Sequence, residues 1–185
     1  MNVTDEQLVA DYLKGDEKSL EILVERYLRP IYGFVYRYIG NSHEAEDITQ
    51  EVFLRAWRNL KKPALSLFKG FNPKKGTFKT WIFRIARNAG IDFLRKKKSL
   101  PFSAFENGEG ENILLKTLAD QSPLPSEVFD RAIEAEQLKL AMGKLPINHR
   151  MLLLLYYNDQ FNFREISEIL GESVNTVKSR HRRGL

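Results

Sequence analysis

The sequence predicts an all-α protein, in which two small helical domains are joined by a flexible acidic linker. Three observations indicate this fold class. Apolar residues recur at spacings of three and four, the period of an amphipathic helix, and no run shows the alternation typical of strands. Capping residues flank these stretches. Finally, residues 99–125 are rich in Pro, Gly and acidic side chains, which divides the chain into domains at 1–98 and 126–185.

The composition limits the classes of function. The 185 residues include no Cys, which excludes disulfides, thiolate metal sites and cysteine nucleophiles. The formal charge of +5 and the pI near 9.3 favour a polyanionic partner. The chain begins with a polar helix start instead of a signal peptide, and no apolar run approaches the roughly 20 residues of a membrane span. We therefore expect a soluble, cytoplasmic protein without membrane insertion.

The first two helices of the N-terminal domain are predicted from their ends. A capping box that begins at Thr4 opens a short helix, and Gly15 closes it. Asp16 caps a second helix whose apolar stripe continues to Gly40. Pro30 lies inside that stripe, and because proline lacks an N–H donor we expect it to kink or interrupt the helix.

The third and fourth helices differ in their polar faces. Ser42 is predicted to cap the third, whose first turn carries carboxylates that suit the helix dipole. Thr77 opens the fourth, whose apolar stripe is Phe78, Trp81, Ile82, Ile85, Ala86, Ala89 and Phe93. Its other side carries cations and an Asn, and the loop before it (residues 61–76) adds five Lys and Phe71. The fourth helix and its loop therefore form a basic surface.

The C-terminal domain is predicted to be a four-helix unit that ends in a helix-turn-helix. One helix runs from Ser126 to about Met142, and Pro146 starts the next. Two short helices follow, joined by a turn at Gly171, and Ser173 caps the second. That last helix turns valines inward and carries amide, hydroxyl and basic side chains elsewhere. This arrangement is typical of a recognition helix that enters the DNA major groove.

The sequence contains no catalytic constellation. Carboxylates of the third helix could in principle hold Mg²⁺, but their spacing spreads them around the helix; they are Glu44, Glu46, Asp47 and Glu51. The three His share no ligand spacing, and there is no Gly-rich phosphate loop. We therefore expect no enzyme, no metal and no cofactor. Nucleic acid is the stronger hypothesis, because cations bind phosphate and aromatic rings, here Phe71, stack on unpaired bases.

Three stretches resemble motifs of the extracytoplasmic-function (ECF) subfamily of bacterial RNA polymerase sigma factors. The family's core-polymerase-binding helix is similar to residues 45–57, AEDITQEVFLRAW. Its helix for the minus-ten element is similar to residues 78–98, FKTWIFRIARNAGIDFLRKKK. Its domain for the minus-thirty-five element is similar to residues 145–180, LPINHRMLLLLYYNDQFNFREISEILGESVNTVKSR. The resemblance covers both domains in the family's order.

This resemblance implies a dissociable specificity subunit of RNA polymerase, not a catalyst, that directs promoter recognition, strand opening and transcription initiation. The implied contact with core polymerase lies at or near Asp47, Ile48, Gln50, Glu51, Phe53, Leu54, Arg55 and Arg58. Unpaired minus-ten bases would be captured by Phe71, Lys74, Lys75, Thr77, Arg84, Arg87, Asn88, Asp92 and Arg95. The minus-thirty-five duplex would be read or gripped by Ser173, Asn175, Thr176, Lys178, Ser179, Arg182 and Arg183.

The resemblance also implies further partners, and the sequence departs from the family pattern in several places. The acidic linker would thread into polymerase channels that otherwise hold nucleic acid, and an anti-sigma protein would cover the binding surfaces. The loop before Thr77 is longer than usual, and His181 stands where the family usually has an apolar residue. The family's basic C-terminal helix usually continues for several residues beyond the position of Leu185, so we expect the last turn to fray.

Two other hypotheses remain open at this point. A stand-alone helix-turn-helix regulator would bind duplex DNA as a dimer, although residues 1–98 do not look like its usual phospho-acceptor domain. A metal-dependent nuclease would use Glu44, Glu46 and Asp47. Two-fold symmetric footprints on DNA would favour the regulator, and Mg²⁺-dependent cleavage of DNA or RNA would favour the nuclease.

Overall fold

The computed structural model describes residues 3–61, 70–99, 137–138 and 140–184. Within these ranges the chain is helical and contains no strand, so the predicted all-α class is confirmed. The helices are α1 (Asp5–Leu13), α2 (Glu17–Ile39), α3 (Ser42–Leu60), α4 (Phe78–Ser99), α5 (Ile147–Leu153), α6 (Phe163–Leu170) and α7 (Val174–Arg183). A π-helical turn, Leu154–Asn158, continues α5, and residues 140–144 are also helical.

Most of the predicted helix ends are confirmed. Thr4 and Gln7 form the capping box of α1, and the side chain of Asp16 accepts a hydrogen bond from the Lys18 N–H at 3.2 Å. Gly40 ends α2 with a φ of 82°, a left-handed conformation that glycine adopts without steric cost. The predicted cap of α3 was wrong by one residue, because Asn41 and not Ser42 accepts from the backbone of the first turn.

Of the two predicted effects of Pro30, a kink or an interruption, the interruption does not occur, because helix α2 is continuous through this residue. A proline inside a helix costs about 3 kcal/mol, since a hydrogen bond is lost and the ring crowds the preceding turn. Burial of one large apolar side chain contributes about 1.5–3 kcal/mol. The buried stripe of α2 outweighs the cost of one proline, because it comprises Leu23, Tyr27, Ile31, Phe34, Val35 and Tyr38.

Helices α1 to α4 pack around a core in which α4 lies against both α2 and α3. The Tyr38 hydroxyl of α2 donates to the Ala86 carbonyl of α4 at 3.1 Å. This close approach requires a glycine at position 90, because a Cβ there would lie 1.9 Å from the Tyr38 hydroxyl oxygen. Ile82 and Phe83 of α4 are fully buried. The core thus fixes which faces of α3 and α4 point outward.

The predicted helix-turn-helix is present in the C-terminal domain. Asn162 and Glu165 form a capping box for α6, and Gly171 ends that helix with a φ of 68°. Ser173 caps α7 by accepting from the Thr176 N–H at 3.1 Å. The buried side chains beneath the two helices include Met151, Leu155, Ile166, Ile169, Leu170 and Val177. Most of the predicted linker and of the helix from Ser126 lies outside the described residues.

The two domains are in direct contact through α4, an arrangement that the sequence does not predict. The loop between α5 and α6 places Phe161 against Phe83, with ring centroids 4.9 Å apart. Both rings are almost fully buried, at 2% and 0% exposure. Helix α6 follows directly along α4. The guanidinium of Arg150 also donates to the Tyr38 carbonyl at 3.4 Å.

Candidate polymerase and nucleic-acid surfaces

The outer face of α3 presents half of the residues predicted to bind core polymerase. Asp47, Gln50, Leu54 and Arg58 are exposed and recur at spacings of three and four, so they lie on one stripe, which we call the α3 face. Leu54 is a large apolar side chain that remains 45% exposed within this polar stripe. An exposed apolar side chain with a polar rim is the composition expected of a protein-binding surface.

The other predicted polymerase contacts have structural roles. Ile48 and Phe53 are 5% and 7% exposed and belong to the core beneath the α3 face. Arg55 donates to the Glu51 carboxylate at 2.7 Å and to the Asp92 carboxylate of α4 at 3.2 Å. The bonds to Glu51 and then Asp92 raise the pKa of the Arg55 guanidinium. This network joins α3 to α4 and links a predicted polymerase contact to a predicted minus-ten residue.

Helix α4 carries its predicted minus-ten residues on two flanks. Arg84, Asn88 and Arg95 lie on the flank that is open to solvent or partly so. Arg87 lies towards the other flank, where it is half-buried, and its Nη1 donates to the Asn88 side chain at 2.9 Å. Its Nε has no hydrogen-bond partner among the described residues. Burial is the main cause that lowers the pKa of Arg87, and Glu172 of the C-terminal domain opposes it.

The loop before α4 separates the predicted aromatic contact from the predicted cationic ones. The ring of Phe71 packs against Phe78 and Trp81, with centroids 5.6 Å from each, and is half-buried. Phe71 is therefore the outer member of an aromatic cluster and not a free ring. In contrast, Lys74, Lys75 and Thr77 are exposed, and Thr77 accepts a bond from the Thr80 N–H at 3.2 Å at the start of α4.

Helix α7 presents every predicted minus-thirty-five residue to solvent. Only Val177 is buried on this helix, where it anchors α7 to the domain core. The hydroxyl of Ser173 is engaged in the helix cap, so it is less available to DNA than the side chains after it. The exposed set is Ser173, Asn175, Thr176, Lys178, Ser179, Arg182 and Arg183. It contains no acidic residue, which leaves a basic, hydrogen-bonding surface.

Two residues of the helix-turn-helix serve packing instead of DNA contact. Arg180 forms an ion pair with Glu172 of the turn, and both side chains are less than a fifth exposed. His181 lies within an aromatic cluster, 4.7 Å from the ring of Tyr156, and its Nε2 is 3.2 Å from the hydroxyl of Tyr157. His181 fits this position because the rings of Tyr156, Tyr157 and Phe163 pack around it.

Sequence reasoning missed the interdomain residues around α4. Lys79, Phe83 and Phe161 meet there, together with Asp159 of the same loop as Phe161. Phe83 falls outside the apolar stripe that the sequence predicts for α4, on its polar side. A single aromatic ring at such a position was the available signal that another part of the chain covers it.

Two of the carboxylates that were considered as magnesium ligands form ion pairs. Glu44 forms an ion pair with Lys97 at 2.6 Å, and Glu51 is held by Arg55. Among the described residues, no three His, Asp or Glu side chains are grouped as metal ligands. Within the same part of the chain, no helix combines the length and the apolar character that crossing a membrane requires.

Comparison with known proteins assigns both domains to one family. Residues 23–100 match the family model described as Sigma-70 region 2, and residues 135–185 match the model described as Sigma-70, region 4. The ECF RNA polymerase sigma factor SigW of Bacillus subtilis is 36% identical over 173 residues, which is 92% of this chain and 87% of that protein. The chain belongs to the ECF subfamily of RNA polymerase sigma factors. The match to region 2 also accounts for the N-terminal domain, which the stand-alone regulator hypothesis left unexplained.

Other relatives and solved structures agree with this assignment. The ECF RNA polymerase sigma-E factor of Escherichia coli K12 is 32% identical over 183 residues, covering 96% of this sigma factor and 88% of that protein. The structure of CnrH in complex with the cytosolic domain of CnrY has a TM-score of 0.65 at 20% identity and covers 97% of this chain and 91% of that chain. The sigma factor RpoE of Bartonella quintana, in complex with the anti-sigma factor NepR, has a TM-score of 0.59 at 20% identity, with coverages of 90% and 92%. The two structures share the fold of this sigma factor.

Proposed function

We propose that this sigma factor binds its partners through three separate surfaces: the α3 face for core RNA polymerase, α4 with its loop for the unpaired minus-ten strand, and α7 for the minus-thirty-five duplex. The single observation that best supports this assignment is the α7 surface, where all seven predicted contacts are exposed and none is acidic. The protein thereby acts in the cytoplasm as a specificity subunit and not as a catalyst.

Helix α7 contacts base edges with its first turn and phosphates with the rest of its length. Asn175 and Thr176 lie at the N-terminal end, which enters the major groove in a helix-turn-helix. Their amide and hydroxyl groups suit base edges, and each good bidentate base contact contributes about 1–3 kcal/mol of discrimination. Lys178, Arg182 and Arg183 suit phosphates, which fix the register without reading the sequence.

Helix α4 captures bases only after they leave the duplex. Strand opening is opposed by stacking of about 1.4 kcal/mol per base-pair step, so a surface that binds unpaired bases favours the open form. Arg84 and Arg95 supply phosphate contacts along the open flank, and Asn88 supplies an amide between them. The lysines of the preceding loop extend the basic surface towards the strand.

The α3 face binds core polymerase around Leu54. In protein interfaces a buried apolar anchor surrounded by polar contacts carries most of the affinity. Asp47, Gln50 and Arg58 form that polar rim, whereas Ile48 and Phe53 support the helix from beneath. The network of Glu51, Arg55 and Asp92 holds α3 against α4, so polymerase binding and strand capture share one rigid support.

An anti-sigma protein is the proposed regulator of this factor. One structural relative, RpoE of Bartonella quintana, was solved in complex with an anti-sigma factor, and this chain shares its fold along most of its length. A protein of that kind would keep this sigma factor inactive by covering the surfaces that bind polymerase and promoter DNA.

Run-off transcription tests the proposal. Bacterial core polymerase with and without the protein would transcribe fragmented bacterial genomic DNA, and we expect discrete new transcripts only with the protein. A Leu54→Asp variant should lose polymerase binding, while a Leu138→Asp variant serves as the control, since Leu138 is 63% exposed outside the three surfaces. Transcripts that are equal with and without the wild-type protein would refute the assignment.

A further inference from the structure

Helix α1 contributes no residue to the three proposed binding surfaces. The match to Sigma-70 region 2 begins at residue 23, within α2, so α1 also lies outside that match. Its Leu8 and Val9 are nevertheless buried in the core of the N-terminal domain, at 2% and 4% exposure. Other side chains of α1 reach two points of this domain, which are the two ends of the connection between α3 and α4.

The first of these points is the start of α4. The Glu6 carboxylate accepts a long hydrogen bond, of 3.5 Å, from the Phe78 N–H. Phe78 is the first residue of α4, and the first N–H groups of a helix have no partner within the helix itself. Glu6 therefore caps α4 from another helix, and its negative charge suits the positive end of the α4 dipole.

The Tyr27 ring of α2 supports the same point from the side. Its hydroxyl donates to the Asp5 carboxylate of α1, which Arg26 also binds. Burial, and then Asp5, raise the pKa of Tyr27, so the hydroxyl stays protonated and remains a donor. The ring packs edge-on against Phe78, with centroids 5.3 Å apart. Helix α1 thus fixes the ring against which the first residue of α4 packs.

The second point is the end of α3. Lys61 is the C-cap residue of α3, and its ammonium lies 5.8 Å from the centroid of the Tyr12 ring of α1, at the outer limit of a cation–π contact. Glu6 and Tyr12 are separated along α1 by about 9 Å, at 1.5 Å per residue. One short helix therefore contacts both ends of the connection.

The connection ends in residues that are proposed to meet the unpaired strand. Phe71 packs against Phe78, so the position of its ring depends on the start of α4. Asn72 holds the turn that follows, because its carbonyl accepts from the Lys75 N–H and its side chain from the Lys74 N–H, both at 2.9 Å. Both lysines are exposed. A shift of the first turn of α4 would therefore move Phe71 and the two lysines together.

We propose that α1 is a brace that holds both ends of the connection between α3 and α4, and that it thereby sets the position in which Phe71, Lys74 and Lys75 meet the unpaired minus-ten strand. Glu6 and Tyr12 are positioning residues, because they act through other residues and not on the strand itself. The effect on strand capture rests on the proposed function, whereas the brace itself does not.

Hydrogen–deuterium exchange of the full chain, followed by NMR, tests the brace without DNA. Glu6→Ala removes the acceptor, so the Phe78 amide should exchange about fivefold faster, the change that corresponds to one lost hydrogen bond. Glu6→Gln retains an acceptor oxygen, and its exchange should return close to that of the wild type. Tyr12→Leu keeps the apolar packing but removes the ring that faces Lys61, and we expect a smaller increase at the same amide.

Glu17→Ala is the matched control. Glu17 is also a glutamate in the first turn of a helix, but it is exposed and belongs to α2. Its removal costs a comparable interaction with a helix dipole, and we expect exchange at Phe78 to equal that of the wild type. Equal exchange in the wild type and Glu6→Ala would overturn the brace. Faster exchange in Glu17→Ala that matches Glu6→Ala would also overturn it, because the effect would then reflect a loosened domain.

Strand binding by the holoenzyme, assembled from core polymerase and each variant, tests the consequence. The probe is a fluorescein-labelled single strand from a minus-ten region found by run-off transcription, and its affinity is measured by anisotropy. We expect Glu6→Ala to bind this strand about fivefold more weakly than the wild type, and Glu6→Gln to restore most of the affinity. Affinity for core polymerase should stay unchanged, since the α3 face belongs to the same domain but not to the brace.

The outcomes separate the brace from the proposed function. Faster exchange in Glu6→Ala with unchanged strand affinity would overturn the effect of α1 on strand capture. An equal loss of strand affinity and polymerase affinity would overturn it as well, because a loosened domain affects both surfaces. Absence of strand binding by the wild-type holoenzyme would refute the proposed strand surface of α4, and amide exchange would still decide whether α1 braces that helix.

Discussion

Helices α7 and α4 are both proposed to bind promoter DNA, but they present their side chains differently. All seven predicted contacts of α7 are exposed, and a single valine anchors that helix. On α4, Phe83 is fully buried and Arg87 is half-buried beneath the C-terminal domain. Duplex DNA can therefore meet α7 in the free protein, whereas the flank of α4 beside its strand-binding residues is covered until the domains separate.

This difference follows from what each helix must bind. Base edges in a duplex are available at all times, so a rigid exposed helix suffices to read them. Unpaired bases exist only after the strands open, so α4 needs its full surface later in the process. The predictions below test this comparison, in the order of the expected size of the effect.

The largest expected effect comes from removing the glycine that lets α4 approach α2. In Gly90→Ala the new Cβ would lie 1.9 Å from the Tyr38 hydroxyl oxygen, so the helices must move apart. Overpacking of this severity costs about 3 kcal/mol. Both Trp residues, Trp57 and Trp81, lie in the N-terminal domain, so the unfolding of this domain can be followed by tryptophan fluorescence in urea.

Gly33→Ala is the matched control for this variant. Gly33 also lies inside a helix, but its nearest neighbour is the flexible end of Arg37 at 3.3 Å. Alanine is the better helix former by about 1 kcal/mol, so we expect no loss of stability. Binding of α7 to duplex DNA should survive in both variants. If Gly90→Ala unfolds at the same urea concentration as the wild type, the close approach of α2 and α4 is not what supports α4.

A smaller loss is expected when the phosphate contacts of α7 are removed. Lys178 and Arg182 are exposed, so their replacement by Ala should leave the fold intact. Each lost phosphate contact reduces the slope of log affinity against log salt by about 0.9, or about 2 for the pair. We expect duplex affinity to fall by about tenfold, equally for all sequences, as measured by fluorescence anisotropy over a salt series.

Arg164→Ala controls for the loss of a surface cation near α7. Its side chain is 85% exposed on α6, outside the predicted contacts. We expect its salt slope to equal that of the wild type. A parallel decrease in Arg164→Ala would show that overall charge, and not the face of α7, determines duplex binding.

The success of sequence reasoning differs between the same two helices. The caps and stripes around α7 are local patterns, and Gly171, Ser173 and Val177 behave as predicted. On α4 the pattern indicated the core side correctly, but the flank around Phe83 depends on Phe161, which lies 78 residues further along the chain. Spacing rules describe one element at a time, so they cannot predict which distant loop covers it.

The same limit applies to the predicted binding residues. Family motifs identified residues on α3 without distinguishing Leu54, which is exposed, from Phe53, which supports the core. They also assigned Arg55 and Asp92 to different partners, whereas the two side chains bond to each other. Side-chain pairing across two helices depends on tertiary packing, which a single sequence does not display.

A moderate effect is expected from the bond between α3 and α4. Arg55 and Asp92 are partly exposed, and ion pairs of this kind contribute about 0.2–1 kcal/mol. In a double-mutant cycle of Arg55→Ala and Asp92→Ala we expect a coupling of about 0.5 kcal/mol in urea unfolding. Additive effects would mean that the two residues act separately, as polymerase and strand contacts only.

The smallest expected effect is a pH dependence of closure, by which we mean the contact of the two domains through α4. Burial raises the pKa of the Asp159 carboxyl above its ordinary value of 3.8, and the cations that face it, Arg37 of α2 and Lys79 of α4, oppose the shift without cancelling it. The closed form therefore takes up a proton at Asp159 more readily than the open form. This contribution to closure is complete below pH 3.8 and is lost as the pH rises through the raised value.

Energy transfer between two dyes, attached to cysteines introduced at the exposed positions 13 and 140 of the two domains, can detect this effect. We expect transfer to rise slightly as the pH falls through the raised pKa of Asp159 towards 3.8, because closure is coupled to proton uptake in that interval. Asp159→Asn removes the titrating group and retains its shape, so its transfer should change less over the same interval. Glu168 and Glu172 are the same in both proteins, so the difference between the two curves isolates Asp159. Parallel curves for the two proteins would show that Asp159 keeps its charge in the closed form, and that the ion pair with Arg37 outweighs the cost of burial.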